Sequence, residues 1–107
     1  MSLQWDRDFA FEQAGEDEEL LAELLDLLCL SSENDLEKIR KGADAGDAVA
    51  MGEAAHSIKG AAASLGLAGL RDVAYDMEKK GHAGDLDGAL NHLPALKSMV
   101  SDLSGLK

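Results

Sequence analysis

The chain is poor in the residues that would point to several common classes of protein. Its one cysteine, Cys29, has no internal disulfide partner, and without a CxxC pair there is no zinc signature. Aromatic residues make up only 4% of the sequence (Trp5, Phe9, Phe11 and Tyr75), so a core must be built from Leu, Ala, Ile, Val and Met. That composition favours helix over sheet. Basic residues are also scarce: 10 Lys and Arg against 21 Asp and Glu leave a formal charge of −11. Such a balance excludes a phosphate-gripping nucleic-acid binder and opposes an anionic membrane surface. No apolar run approaches the ~20 residues of a membrane span. No basic stretch precedes an apolar one, so no signal peptide is expected. What is present is a 107-residue chain, 46% apolar, enough for one small domain with a core of its own. A soluble, reduced, cytoplasmic protein is expected, with Met1-Ser2-Leu3 reading as a cloning remnant.

The punctuation predicts an all-α fold. Residues 1–14 carry three of the aromatics and read as a short helix or strap, ahead of a bundle over residues 15–105. The first long helix starts near Asp17, whose carboxylate suits a helix N-terminus. It carries Leu20, Leu21, Leu24, Leu25, Leu27, Leu28 and Leu30, then Leu36 and Ile39, at spacings of three and four. Ser31 and Ser32 interrupt the stripe, Cys29 reads as a buried core thiol, and Gly42 follows Lys38, Arg40 and Lys41 as the stop. A second helix runs from after Asp47 to about Leu65, with Gly66 as its stop. A third runs from about Leu67 to Lys80 on a core stripe of Leu67, Leu70, Val73, Ala74 and Met77, ending at Gly81. The fourth starts after Asp85, shows Leu86, Leu90, Leu93, Leu96, Val100 and Leu103, and should kink at the only proline, Pro94. Short connections make successive helices antiparallel, giving an up-down four-helix bundle.

The second helix carries the chemistry. At ~100° per residue with His56 at 0°, Met51, Ala55, Ile58, Ala62 and Leu65 cluster between roughly 180° and 260°. That is the buried face, and His56 points away from it. Lys59, Gly60 and Ala63 follow at spacings of three, four and seven, sharing or edging the outward face. A glycine inside a helix costs about 1 kcal/mol relative to alanine, a cost that suits close approach by another molecule. Here the approach is to an imidazole, a competent nucleophile near neutral pH. Phosphorylating it adds negative charge that Lys59 can offset. Each residue alone also has an ordinary reading: a surface histidine, a solvated lysine, a helix-packing glycine.

The run His56-Ser57-Ile58-Lys59-Gly60, then Ala61-Ala62-Ala63-Ser64-Leu65-Gly66, resembles the signature of histidine phosphotransfer (HPt) domains. Ala55, His56, Lys59, Gly60 and Gly66 fit that signature. Leu70, Ala74, Met77 and Glu78 resemble the family's third-helix pattern, and the likeness covers roughly residues 10 to 105. The resemblance implies a monomeric bundle that shuttles a phosphoryl group between receiver aspartates. His56 is then the phosphoacceptor through Nε2, Lys59 contacts the phosphoryl oxygens, and Gly60 leaves space for the receiver. Glu78 sits where many members place Gln or Glu facing the histidine, and a carboxylate accepting Nδ1–H would fix the tautomer. Its other reading is a surface carboxylate paired with Lys79 or Lys80. Ala63, Ser64, Arg71 and Tyr75 are candidate partner contacts, with an apolar patch expected from small residues of the second helix and side chains near Tyr75. Arg71 also reads as an ordinary surface cation.

The expected partners are a response-regulator receiver domain and a sensor histidine kinase. No GxxxxGK[ST] or kinase glycine loop is present, so the reading is a phosphocarrier with no ATP site of its own. It has no intrinsic cofactor, and Mg²⁺ is supplied on the receiver. His82 and His92 do not match metal-site spacing with His56. Glu53 with His56 makes a single Glu-x-x-His pair, short of the two a di-iron bundle needs. Two rival readings stand. One is a helical adaptor in which His56 is incidental. The other is a detached phosphoacceptor domain of a hybrid or chemotaxis-type histidine kinase, which the His-Ser-Ile-Lys-Gly run with Glu78 also resembles.

Overall fold

The computed structural model describes residues 3–106; Met1 and Ser2 of the N-terminal tripeptide, and Lys107, lie outside the described residues. Six helices follow in order: α1 (Arg7–Gln13), α2 (Glu18–Asp44), α3 (Ala48–Ser64), α4 (Ala68–His82), α5 (Leu86–Leu90) and α6 (Leu93–Asp102). A turn of 3-10 helix, Leu103–Leu106, follows them. Helices α2, α3, α4 and the α5–α6 pair are the four antiparallel arms of the bundle, and the segment up to Ala14, with α1 in it, is the strap. At about 1.5 Å per residue the 27 residues of α2 span about 40 Å, which accounts for the long axis of a 42 × 19 × 19 Å rod.

Aspartates start the helices. Asp6, Asp17, Asp47 and Asp85 each accept a backbone N–H from the first turn of α1, α2, α3 and α5. Glycines stop them, but not all of those expected. Gly66 does end α3. Gly42 and Gly81 do not end α2 and α4: both lie inside their helices, buried, and the left-handed turns fall at Gly46 (φ 68°) and Gly84 (φ 74°). Gly42 and Gly81 lack side chains for a different reason, which is contact with α3. A Cβ on Gly42 would meet Asp47 O and Met51 Cγ at 3.2 Å, and one on Gly81 would meet Ala48 O at 2.6 Å.

The fourth arm is broken rather than kinked. α5 ends at Leu90, and Pro94 sits in the first turn of α6, where its missing N–H is not needed. The break leaves Leu86, Leu90 and Leu93 half-buried while Leu96, Val100 and Leu103 fill the core. The strap is clipped to the α3–α4 turn by an isolated bridge between Trp5 and Leu67. Asp6 N–H donates to Gly66 O, Gly69 N–H to Leu3 O, and the Trp5 indole to Leu65 O at 3.0 Å.

The leucine run of α2 is wider than one face. Leu21, Leu25, Leu28, Leu36 and Ile39 are buried, while Leu27 and Leu30 are 62% and 66% exposed and Leu20 is also exposed. Cys29 is half-buried at the edge of the core rather than inside it. Ser32 takes a core position instead, and its Oγ is the one buried side-chain polar atom without a hydrogen-bond partner among the described residues.

Candidate functional site

The α3–α4 pairing builds the site. Both helices give up side chains where they cross: a Cβ on Gly52 would meet His82 and the Glu78 carbonyl, and one on Gly81 would meet the α3 backbone. Near-contact of the two backbones at this crossing brings their next turns together. His56 lies one turn after Gly52 and Glu78 one turn before Gly81, so these two residues face each other across the gap. Glu78 Oε2 lies 2.7 Å from His56 Nδ1, and Lys59 Nζ donates to Oε1 at 2.6 Å and to Oε2 at 3.1 Å.

The three side chains differ in exposure: His56 is 64% exposed, Lys59 26% and Glu78 7%. Burial pushes the Glu78 carboxyl up, but the hydrogen bonds and charges of Lys59 and His56 outweigh it. The net effect holds Glu78 below the usual carboxylate value, so it is ionised at neutral pH. A carboxylate can only accept, so Nδ1 keeps its hydrogen and the neutral imidazole holds its lone pair on Nε2. The alternative pairing of Glu78 with Lys79 or Lys80 does not occur: those lysines pair with Asp76 and Asp85.

The remaining candidates divide into three groups. Tyr75, 46% exposed, lies one turn before Glu78 with the Lys59 ammonium 5.0 Å from its ring centre. Arg71 borders a shallow cleft with Lys59, Asp72 and Tyr75, but its guanidinium is held by Asp72 at 3.0 Å. Gly60 and Ala63 are exposed on the His56 face, and a Cβ on Gly60 would meet nothing within 4 Å, so it is not a packing glycine. Ser64 is also exposed, its hydroxyl bonded to Ala61 O.

The large exposed apolar side chains are mostly elsewhere than expected. A groove of about 460 Å³ between α2 and α3, lined by Leu24, Leu27, Leu28, Ser31, Ala61 and Ser64, runs beside the outward face of α3, opposite the Tyr75 side. Sequence reasoning missed Gly52 and Leu27. The signal for Gly52 was a second helix-interior glycine four residues before His56. Leu27 gave no signal within a continuous run of leucines. Among the described residues, no three His, Cys, Asp or Glu side chains form a metal-binding group, and no helix is long and apolar enough to cross a membrane.

The Hpt domain family matches residues 23–105. The structure is similar to the crystal structure of histidine-containing phosphotransfer protein B from Pseudomonas aeruginosa PAO1, with a TM-score of 0.85 and 25% identity over 94% of this chain and 87% of that one. No curated protein matches the sequence. With its family match across most of its length, the chain belongs to the Hpt domain family, phosphocarriers rather than catalysts, and serves histidine phosphotransfer in two-component signalling.

Proposed function

We propose that His56 carries the phosphoryl group and exchanges it with the aspartate of a response-regulator receiver domain. The observation that supports this most is the fixed tautomer: buried Glu78 takes Nδ1–H at 2.7 Å and leaves Nε2 on a ring that is 64% exposed. In the transfer the Nε2 lone pair attacks phosphorus. The bond from phosphorus to the aspartyl oxygen breaks, and its electron pair leaves with the aspartate. No proton has to move, because Nδ1 keeps its hydrogen. The ring gains one positive charge directly opposite the Glu78 carboxylate, a pre-placed counter-charge for the transition state. Reversal returns the group to a receiver.

Lys59 supplies the cation for the phosphoryl oxygens, for which its ammonium turns from Glu78 toward Nε2. Mg²⁺ and the remaining charge stabilisation come with the receiver. The absence of a GxxxxGK[ST] loop supports a carrier with no ATP site of its own, with a receiver domain and a sensor kinase as its partners. Gly60 and Ala63, with Ala61, Ser64 and Leu27 beyond them, give the receiver a face of small and apolar groups. The acidic balance supports a carrier that binds neither nucleic acid nor an anionic membrane surface, and the reading is of a cytoplasmic monomer.

The test is transfer from a panel of labelled phospho-receivers with Mg²⁺ to the wild type and to His56→Gln. Acid-labile, base-stable label is expected on the wild type, with none on the variant. Equal label on both would remove His56 from the reaction. A receiver that binds both proteins equally without transfer would favour the helical adaptor.

A further inference from the structure

Tyr75 is the only aromatic residue after Phe11, and it does not join the core. It stands half in water on α4, with two ammonium groups at its ring: Lys59 at 5.0 Å from the centroid and Lys79 at 4.6 Å. The two contacts differ in kind. Lys79 is on the same helix one turn on and also meets Asp76 at 3.4 Å. Lys59 arrives from α3 and has its ammonium 2.6 Å from Glu78 Oε1 at the same time. Tyr75 and Glu78 are three residues apart on α4, so ring and carboxylate project side by side. Together they form a two-sided seat, and Lys59 is drawn down to 26% exposure within it.

We propose that Tyr75 is a positioning residue whose ring keeps the Lys59 ammonium beside His56, ready for a phosphoryl group on Nε2. The inference rests on the reading of His56 as the phosphoacceptor. A lysine stem is long and flexible, and a cation serves a loose phosphoryl-transfer transition state only if it is in place when the group arrives. The carboxylate alone cannot serve, because a directional ion pair at 2.6 Å does not follow the ammonium as it moves to the phosphoryl oxygens. A ring attracts the cation through its quadrupole over a broad area and carries no formal charge. The ammonium can therefore pivot from Oε1 to the phosphoryl oxygens while still resting on the ring.

Three proteins separate this from packing and from docking: the wild type, Tyr75→Phe, which keeps the ring, and Tyr75→Leu, which keeps apolar bulk without the quadrupole. Two readouts apply. One is transfer from a phospho-receiver, resolved into kcat and KM. The other is the carboxyl titration of Glu78 in the free protein, followed by ¹³C NMR with no partner present. Tyr75→Leu should lose about fivefold in kcat, the size of an exposed to partly buried cation–π contact, with KM held within about twofold. Its Glu78 titration should move up toward the ordinary carboxylate value, because Lys59 is less firmly held there. Tyr75→Phe should keep the wild-type pattern in both.

A rise in KM at constant kcat for Tyr75→Leu would overturn the proposal in favour of a docking contact. A Tyr75→Leu protein unchanged in both readouts would reduce the ring to bulk. Tyr75→Phe matching Tyr75→Leu would assign the effect to the hydroxyl and overturn the proposal equally. If no receiver phosphorylates the wild type, the phosphoacceptor reading fails. The Glu78 titration then decides the role of Tyr75 alone: an upward move in Tyr75→Leu upholds the seat, and no move overturns it.

Discussion

Gly52 and Gly60 stand at equal distances from His56, four residues before it and four after, on one helix. Each costs about 1 kcal/mol relative to alanine. Around Gly52 the space is taken: a Cβ there would lie 2.9 Å from His82 Cδ2, 3.1 Å from His82 N and 3.2 Å from Glu78 O. Around Gly60 a Cβ would meet nothing within 4 Å. The first vacancy is filled by the protein's own fourth helix, and it is what lets Glu78 reach the imidazole. The second is left open, on the exposed face that carries His56. The same residue type therefore closes the histidine's inner side and clears its outer side.

The largest test of this contrast is on the closed side. Gly81→Ala, whose methyl would fall 2.6 Å from backbone atoms of α3, is expected to destabilise the fold by about 2–3 kcal/mol in urea unfolding. Transfer to His56 should fall with it as Glu78 is pushed away. A variant as stable as the wild type would mean that the two helices are not locked by this contact. On the open side the sign reverses. Gly60→Ala should raise stability by about 1 kcal/mol and leave the fold intact. Gly60→Met should fold at least as well as the wild type but slow transfer about tenfold through KM, roughly 1.4 kcal/mol at the docking step. Undiminished transfer by Gly60→Met would show that the partner does not use this face.

The smallest effect is one of pH. Glu78 titrates below the ordinary carboxylate value in the fold, so the unfolded chain binds its proton more readily. Its ionised form therefore adds stability that is present in full above the ordinary carboxylate range and is lost as pH falls through the folded value. Glu78→Gln cannot titrate. The difference in unfolding free energy between wild type and Glu78→Gln should therefore shrink below about pH 4, with the wild type losing more. Parallel curves down to acid pH would separate Glu78 from the charges of Lys59 and His56.

Much of this was legible in the sequence where one residue type has one use. Asp17, Asp47 and Asp85 marked helix starts because a carboxylate in that place has a single geometric role. The buried stripe of α3 followed from its periodicity, and the outward direction of His56 followed from that stripe. Glycine was harder to read, because a left-handed turn and a close helix approach leave the same letter. Gly66 is the stop its place predicts, while Gly42 and Gly81 lie inside their helices and the stops fall at Gly46 and Gly84. Leucine was ambiguous on α2 for another reason: spacings of three and four in a run that dense wrap most of the helix, so Leu27 looked no different from Leu28. Pro94 suits an interruption and a helix start equally in sequence, and it stands in the first turn of α6. Glu78 had two equal readings, and only the Gly52–Gly81 crossing, which joins residues distant in sequence, decides between them.

The strap also makes the protein its own optical reporter. Trp5 is the only tryptophan in the chain, and its indole N–H is tied to the carbonyl of Leu65, the residue that closes the helix bearing His56. Its emission therefore samples the last turn of that helix, with no second fluorophore of its kind to dilute the signal. A shift in the seating of α3 can be read in unlabelled protein, in the time of a mixing experiment.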